Sequence, residues 1–363
     1  MAGPLAHAPI AAMTQPDHPS PTGAAALTSP AGLPHYLHPL GHEVYAVDTG
    51  FEREKFDAAY LVVRQGRAAF IDTGHNAAVP RLLGALGALG LTPGAVDWVI
   101  PTHVHLDHAG GAGLLMSHLP VARALIHPRG ARHLIDPRAL MAGAIGVYGQ
   151  AVVHATYGEL VPIPAERVVE SQVIDRPEGM TVMLGDRPLL VIDSPGHARH
   201  HQAVWDAASR GWFSGDTFGI SYREFDGPRG VDDCYIMPSS TPVQFEPDAM
   251  RRSIQRMLSF DPLCLYPTHF SRLTQPQCLA EQLYPQIDAF EQGALAWRAA
   301  QPHAHTVDEA TRDAAMLAIV QQALLDGVAR AGSPVGREDT LALLEIDIRL
   351  NAQGLGIWLS KQA

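Results

Sequence analysis

The segment PTHVHLDHAG, residues 101–110, sets His103, His105, Asp107 and His108 within six positions. Four ligand-type side chains so close together are costly to bury unless something pairs with them. His103 and His105 are two apart, so on or just past a strand both imidazoles face one side. Asp107 and His108 follow as the chain turns toward a helix, and Gly110 and Gly111 permit a tight entry. A divalent cation is the economical partner, because imidazole and carboxylate together suit zinc, iron, manganese or nickel. Three distant segments end in the same kind of residue just past an apolar run: VIDSPGH in His197, GWFSGD in Asp216 and LCLYPTH in His269. Ends of adjacent strands converge in space, as an active site at the mouth of a mixed α and β fold requires.

The elements that must position these residues follow from pattern. EVYAVDTG (43–50) and AAYLVVRQGRAAFIDTG (58–74) predict strands, the second a hairpin about Gln65-Gly66, and VDWVI (96–100) predicts another. VPRLLGALGAL (79–89) has helical spacing, and AGGAGLLMSHL (109–119) opens a helix past the histidine cluster. Hairpins and buried strands return at 181–196, 202–216 and 263–269. Strands and helices interleave, so the class is α/β or α+β with a helical tail. Residues 1–35 read as a flexible leader, rich in Ala, Pro, Ser and Thr. A domain over 36–274 follows, with a helical insertion near 132–160, and then a C-terminal helical extension over 275–363.

The HxHxDH segment, followed in order by a distant His, Asp and His, resembles the metallo-β-lactamase fold superfamily, and DTG at 72–74 resembles the turn before that fold's first long helix. The resemblance covers roughly residues 37 to 270. It implies an α+β fold, an αββα four-layer sandwich with a dinuclear metal site at one edge. By that likeness His103, His105 and His197 hold one ion, Asp107, His108 and His269 the other, and Asp216 bridges them. The implied cofactors are two divalent ions, zinc first, with manganese or iron as alternatives. Such a pair lowers the pKa of a shared water toward neutrality and polarises a carbonyl or phosphoryl oxygen. Asp107 is then the catalytic residue that orients the nucleophile and shuttles its proton. The expected activity is hydrolysis of an ester, thioester, lactone, amide or phosphoester of a small molecule. The alternative is a mononuclear iron oxygenase acting on a thiol or persulfide, with His103, His197 and Asp216 as a two-His-one-carboxylate set. The chain lacks the Gly-x-Gly-Arg stretch of glyoxalase II-like members after the bridging Asp. It also has Gly219 where lactone-cleaving relatives carry a tyrosine, with Tyr222 nearby.

Around these residues, Phe218, Tyr222 and Arg223 are expected to line a pocket, Arg223 attracting an acidic substrate. Tyr148, with His154 and Tyr157, lies in the insertion, which either lids the mouth or packs as ordinary helix. Asp72 holds a ligand or caps its turn, His200 and His201 are supporting or surface groups, and His127 is structural. The apolar positions of 341–355 suit core packing and secondarily a homodimer. The chain has 363 residues, 47% hydrophobic and 17% charged, and a net charge of −11 from 26 basic and 37 acidic residues. That balance argues against a nucleic-acid partner. Cys234, Cys264 and Cys278 are too few and too widely spaced for a disulfide framework or a CxxC pair. No run is read as a membrane span and the N-terminus makes a poor signal peptide, so a cytoplasmic location is expected.

Overall fold

The computed structural model describes residues 32–301 and 308–362. The leader expected over 1–35 therefore lies, up to residue 31, outside the described residues. Seven strands, β1 (Leu37–Gly41), β2 (Val44–Asp48), β3 (Ala58–Arg64), β4 (Arg67–Ile71), β5 (Val96–Ile100), β6 (Arg123–Ile126) and β7 (Val168–Glu170), lie side by side in chain order. The first four pair antiparallel, β2 and β3 through the loop 49–57 and the others through tight turns, and β4 to β7 pair parallel across intervening helices. A second sheet takes β8 (Met180–Leu184), β9 (Arg187–Asp193), β10 (Gln202–Asp206), β11 (Gly211–Phe213), β12 (Cys264–Leu265) and β13 (Leu273–Thr274), in the order β13-β12-β11-β10-β9-β8.

Both faces of each sheet are covered, so the central strands read as unbroken apolar runs rather than alternating ones. In β3 the two faces still separate: Ala58, Tyr60 and Val62 turn into the core shared with β9, β10 and β11, whereas Ala59 and Leu61 face helices. Those helices are α1 (Val79–Ala88), α2 (Leu106–Ala109), α3 (Ala112–His118) and α4 (Pro128–Ile135). The insertion between β6 and β7 continues as α5 (Arg138–Tyr148) and α6 (Gln150–Tyr157), sharply bent at Gly149 with φ +84°. On the outer face of the second sheet lie α7 (Pro247–Leu258), α8 (Pro276–Ala299), α9 (Glu309–Ala331), α10 (Arg337–Leu343) and α11 (Glu345–Ser360). The layers are thus helix, sheet, sheet, helix, with C-terminal helices added, as expected.

Two expectations change. The helix past the histidine cluster starts earlier than read: α2 already holds Asp107 and His108, and α3 begins only after Gly110-Gly111. Glycine is needed at the junction, since a Cβ on Gly111 would meet the His75 carbonyl at 2.8 Å. The reading that no run suits a membrane span is also corrected, because α9 is long and apolar enough by length and composition. It instead packs one stripe, Met316, Val320, Leu324 and Val328, into the core against the second sheet.

Glycine is required where the chain approaches the site from β9. Gly196 has φ +137°, and a Cβ there would stand 2.3 Å from Met250 Cα in α7. Gly196→Ala is expected to lower stability by more than about 2 kcal/mol, read as a shifted denaturant midpoint. A parent-like midpoint would show that α7 yields freely at this contact.

Candidate metal centre

Asp72 organises one side of the site. It follows β4 in the left-handed region, φ +55°, uncommon for a residue with a side chain. Its carboxylate accepts from Thr102 N at 2.6 Å, from Thr102 Oγ1 at 2.9 and 3.0 Å, from Thr268 Oγ1 at 2.7 Å and from His108 Nδ1 at 2.9 Å. One buried group thus ties the end of β4 to the chain leaving β5, to α2 and to the loop after β12. From the other sheet, Gln202 donates its side-chain amide to the carbonyls of Pro101 and Leu125 at 2.9 and 3.1 Å.

On this frame the seven residues singled out in the sequence come together. Donor atoms of His103, His105 and His197 lie within 4.8 Å of one another, as do those of His103, His108 and Asp216, and those of Asp107, His108 and His269. The imidazole tautomers follow from their partners. His197 Nδ1 faces the Ser239 carbonyl at 2.8 Å and His269 Nδ1 the Phe56 carbonyl at 3.0 Å. A carbonyl only accepts, so both nitrogens carry the proton. His108 Nδ1 donates to Asp72, and His103 Nδ1 lies 3.1 Å from Thr102 Oγ1, whose own proton goes to Asp72. In each of these rings Nε2 is left to face the shared space.

That space suits a cation. His103 Nε2 is 2.8 Å from His105 Nδ1, which is 3.1 Å from His197 Nε2. Nitrogens about 2.0 Å from a tetrahedral ion stand roughly 3.3 Å apart, so the three are spaced as around one ion. On the other side, His108 Nε2 and Asp216 Oδ1 are buried with no hydrogen-bond partner, 3.3 Å apart. Asp107 Oδ2 lies 3.3 Å from His269 Nε2 and 3.6 Å from His108 Nε2. Orphaned buried donors and acceptors of this kind are expensive unless satisfied, and this donor set is one that divalent ions take.

The electrostatics divide the site in two. Burial, reinforced by neighbouring imidazoles, pushes His103 well below its ordinary range and His105 down to about 3. Burial also lowers His197, against the pull of Asp216. On the other side burial is overcome: the carboxylates around His108 hold it well above its usual value, and Asp107 with Asp216 raises His269 to about 9. Burial would raise Asp107 and Asp216 too, but His108 beside both, with His269 and His197, holds each carboxyl below the usual range.

The remaining residues fall in different places. His201 supports Asp216, its Nε2 accepting from Asp216 N at 3.2 Å and its Nδ1 meeting Ser194 Oγ at 2.8 Å. His200 is buried with its ring centroid 5.4 Å from that of His105. His127 caps α4 and meets Asp193 at 3.0 Å, a structural role. Phe218 does not line a pocket; it is fully buried in the core beneath the second sheet, because the chain turns back at Gly219, φ +87°. Arg223 is no free cation, since it donates to Ser221 Oγ at 2.6 Å and pairs with Asp226. Tyr222 is beside the site but buried, donating to Asp347 at 3.0 Å and packing edge-on to His269. Tyr148 and Tyr157 are half-buried, and burial together with the nearby Asp107 charge raises both phenols. Tyr157 stacks on Phe51, and Asn76 holds its carbonyl at 3.2 Å. Sequence reasoning missed Thr102, Thr268, Asp347 and the carbonyls of Ser239 and Phe56. Of these only Thr102 and Thr268, each next to a ligand-type histidine, left any mark in the motifs.

Comparison with known proteins gives the family and the fold. The sequence profile of the Metallo-beta-lactamase superfamily matches residues 54–269, more than half of the chain, and the chain belongs to that superfamily. Metallo-beta-lactamase domain-containing protein 1 of Homo sapiens is 46% identical over 69 residues, 16% of this chain and 26% of its own length. A metallo-beta-lactamase fold-containing protein of Sulfurisphaera tokodaii is 26% identical over 193 residues, 52% of this chain and 65% of its own. The chain therefore spans about a quarter of the first relative and just under two thirds of the second. Acyl-coenzyme A thioesterase MBLAC2 of Gallus gallus is 30% identical over 202 residues, 51% of this chain and 67% of its own. Among solved structures, an archaeal superfamily protein from Sulfolobus tokodaii aligns with TM-score 0.56 at 19% identity, covering 86% of this chain and 98% of that one. A family protein from Thermus thermophilus gives 0.53 at 19%, covering 84% and 93%. These two likenesses concern the fold.

Two measurements probe the centre. At pH 7.5 the raised imidazoles of His108 and His269 are protonated in the metal-free chain and must lose their protons to bind an ion, whereas His103, His105 and His197 are already neutral. Calorimetric metal titration in buffers of different ionisation enthalpy should therefore read release of on the order of two protons from the Asp107-side imidazoles, beyond the proton lost by metal-bound water. The imidazole share should fall as pH rises past about 9, the value to which His269 is raised; a release that stays unchanged across that range contradicts the division. Separately, Asp72→Ala is expected to weaken metal retention by roughly 10–100-fold, measured by chelator competition, and parent-like retention would remove Asp72 from its organising role.

Proposed function

We propose that this superfamily member, a metal-dependent hydrolase by that membership, works with two divalent ions, zinc first, and cleaves an acyl bond of a small molecule, thioesters foremost. The observation that carries the reading is the convergence of five imidazoles and two carboxylates on one space, four of the rings turned by their Nδ1 partners to face it with Nε2. His103, His105 and His197 would hold one ion, Asp107, His108 and His269 the other, with Asp216 shared between them. When bound, such a pair lowers the pKa of a water toward neutrality and polarises the carbonyl it faces. The preference for a thioester rests on the 30% identity to an acyl-coenzyme A thioesterase over about half of this chain.

The chain's own groups then do the rest. Asp107 is ionised despite burial, and its Oδ2 is held beside the Nε2 atoms of His108 and His269. It orients the attacking water and takes its proton as the carbon–oxygen bond forms. The carbon–sulfur bond breaks as the tetrahedral carbon collapses, and the electron pair leaves on sulfur. A thiol of pKa about 8.5 departs readily as the thiolate, so one carboxylate suffices to hold the proton and return it to the leaving group. Tyr148 and Tyr157 of the insertion, near enough for the Asp107 charge to act on both phenols, would offer apolar rings with polar tips to the substrate's acyl side. The three cysteines are free, two of them buried, in keeping with a reducing cytoplasm.

The experiment is elemental analysis of the purified chain, followed by assay against thioester, ester, lactone and phosphodiester panels. Near two equivalents of zinc with thioester turnover is the expected result. His103→Ala should lose metal, and Asp107→Ala should lose roughly 10²–10⁴-fold in kcat/KM. Full metal content and full activity in both variants would sink the reading, and a single equivalent of iron with oxygen uptake on thiols would replace it with an oxygenase.

A further inference from the structure

We infer that the C-terminal helix α11 belongs to the metal centre, with Asn351 and Asp347 as positioning residues, one for each histidine arriving from the second sheet. The His197 ring is held by the Ser239 carbonyl. The next residue, Ser240, donates its N–H to Asn351 Oδ1 at 2.8 Å and its hydroxyl to the Asn351 carbonyl at 3.3 Å. Thr241 Oγ1 in turn donates to the His197 carbonyl at 3.0 Å. Residues 239–241 thus grip His197 by ring and backbone, and Asn351, 2% exposed, grips residues 239–241. The helix is pressed to this segment as closely as backbone permits, because a Cβ on Gly354 would stand 2.5 Å from both Ser240 Oγ and the Thr241 carbonyl.

One turn earlier, both oxygens of Asp347 accept from the Tyr222 hydroxyl, at 3.0 and 3.1 Å. The Tyr222 ring stacks on Phe56 with centroids 4.9 Å apart, and the Phe56 carbonyl holds His269 Nδ1. Asp347, Asn351 and Gly354 recur at i, i+4 and i+7, one face of a helix. That face meets two segments of the catalytic domain, residues 239–241 and Tyr222, each of which leads by contact to a different histidine. A core helix would present apolar side chains there; this one presents an acceptor to each arm.

The inference rests on the two-ion reading, and the test separates them. In the full chain loaded with zinc, and in parallel with cobalt, stepwise affinities are measured by chelator competition, and histidine side-chain nitrogen spectra of the zinc form report which rings lose their ion. Asn351→Ala is expected to weaken the His103–His105–His197 ion about tenfold while sparing the other, and Asp347→Ala to do the reverse. Asn351→Asp and Asp347→Asn keep an acceptor oxygen in place and should restore parent affinity. Should an alanine variant fail to fold, Tyr222→Phe removes only the hydroxyl that Asp347 holds and should weaken the same ion as Asp347→Ala. Parent-like affinities, equal loss at both ions, or no rescue by the conservative variants would overturn the inference while leaving the two-ion reading intact. A parent chain that takes up no ion would overturn both.

Discussion

A single carboxylate, that of Asp72, is the constraint on which the site's architecture depends. Four donors meet it: a backbone amide, two threonine hydroxyls and an imidazole. The charge is buried, so its desolvation must be offset by these hydrogen bonds, each stronger in low dielectric than in water. The left-handed backbone at Asp72 is the conformational cost of aiming the carboxylate at all four. In return, one proton position on His108 is settled, and the chain after β5, α2 and the loop after β12 share a fixed reference. Gln202 performs the complementary service between sheets, since its amide reaches from β10 to the carbonyls beside β5 and β6.

The donors sit where the two sheets meet because each follows a strand end: His103 after β5, His197 after β9, Asp216 after β11 and His269 after β12. A strand buried on both faces is rigid, so a residue a few positions past its end inherits a precise origin and needs only a short irregular segment to reach the centre. The irregular segments are the costly parts. Gly196 and Gly215 approach neighbouring atoms more closely than any side chain would allow, Gly215 against His201 and Thr102.

Much of this was legible in the sequence. Strand and helix periodicity located nearly every central element, since AAYLVV and VDWVI admit few readings between glycine turns. The four-residue cluster and the three distant strand-end donors announced the metal chemistry by type and spacing. What stayed hidden has a common physical character. Backbone carbonyls such as those of Ser239 and Phe56 carry no sequence identity, so their hold on His197 and His269 is visible only in three dimensions. Phe218 and Arg223 look like pocket residues because they follow Asp216, yet the turn at Gly219 sends one into the core and the other toward Asp226. Asp347 and Asn351 lie more than a hundred residues from the loops they touch, and nothing local distinguishes them from the solvated face of an ordinary helix.

The local nature of the His103–His108 cluster bears on how the protein is made. These ligand-type residues are neighbours in sequence, so an emerging chain can chelate a metal before any sheet exists, whereas His197, Asp216 and His269 join only after long-range strand pairing. Affinity of the unfolded chain for metal subtracts from the stabilisation that the folded site gains. A free ion therefore stabilises the native chain by less than the affinity of the folded site alone would give, because the local half of the donor set survives unfolding.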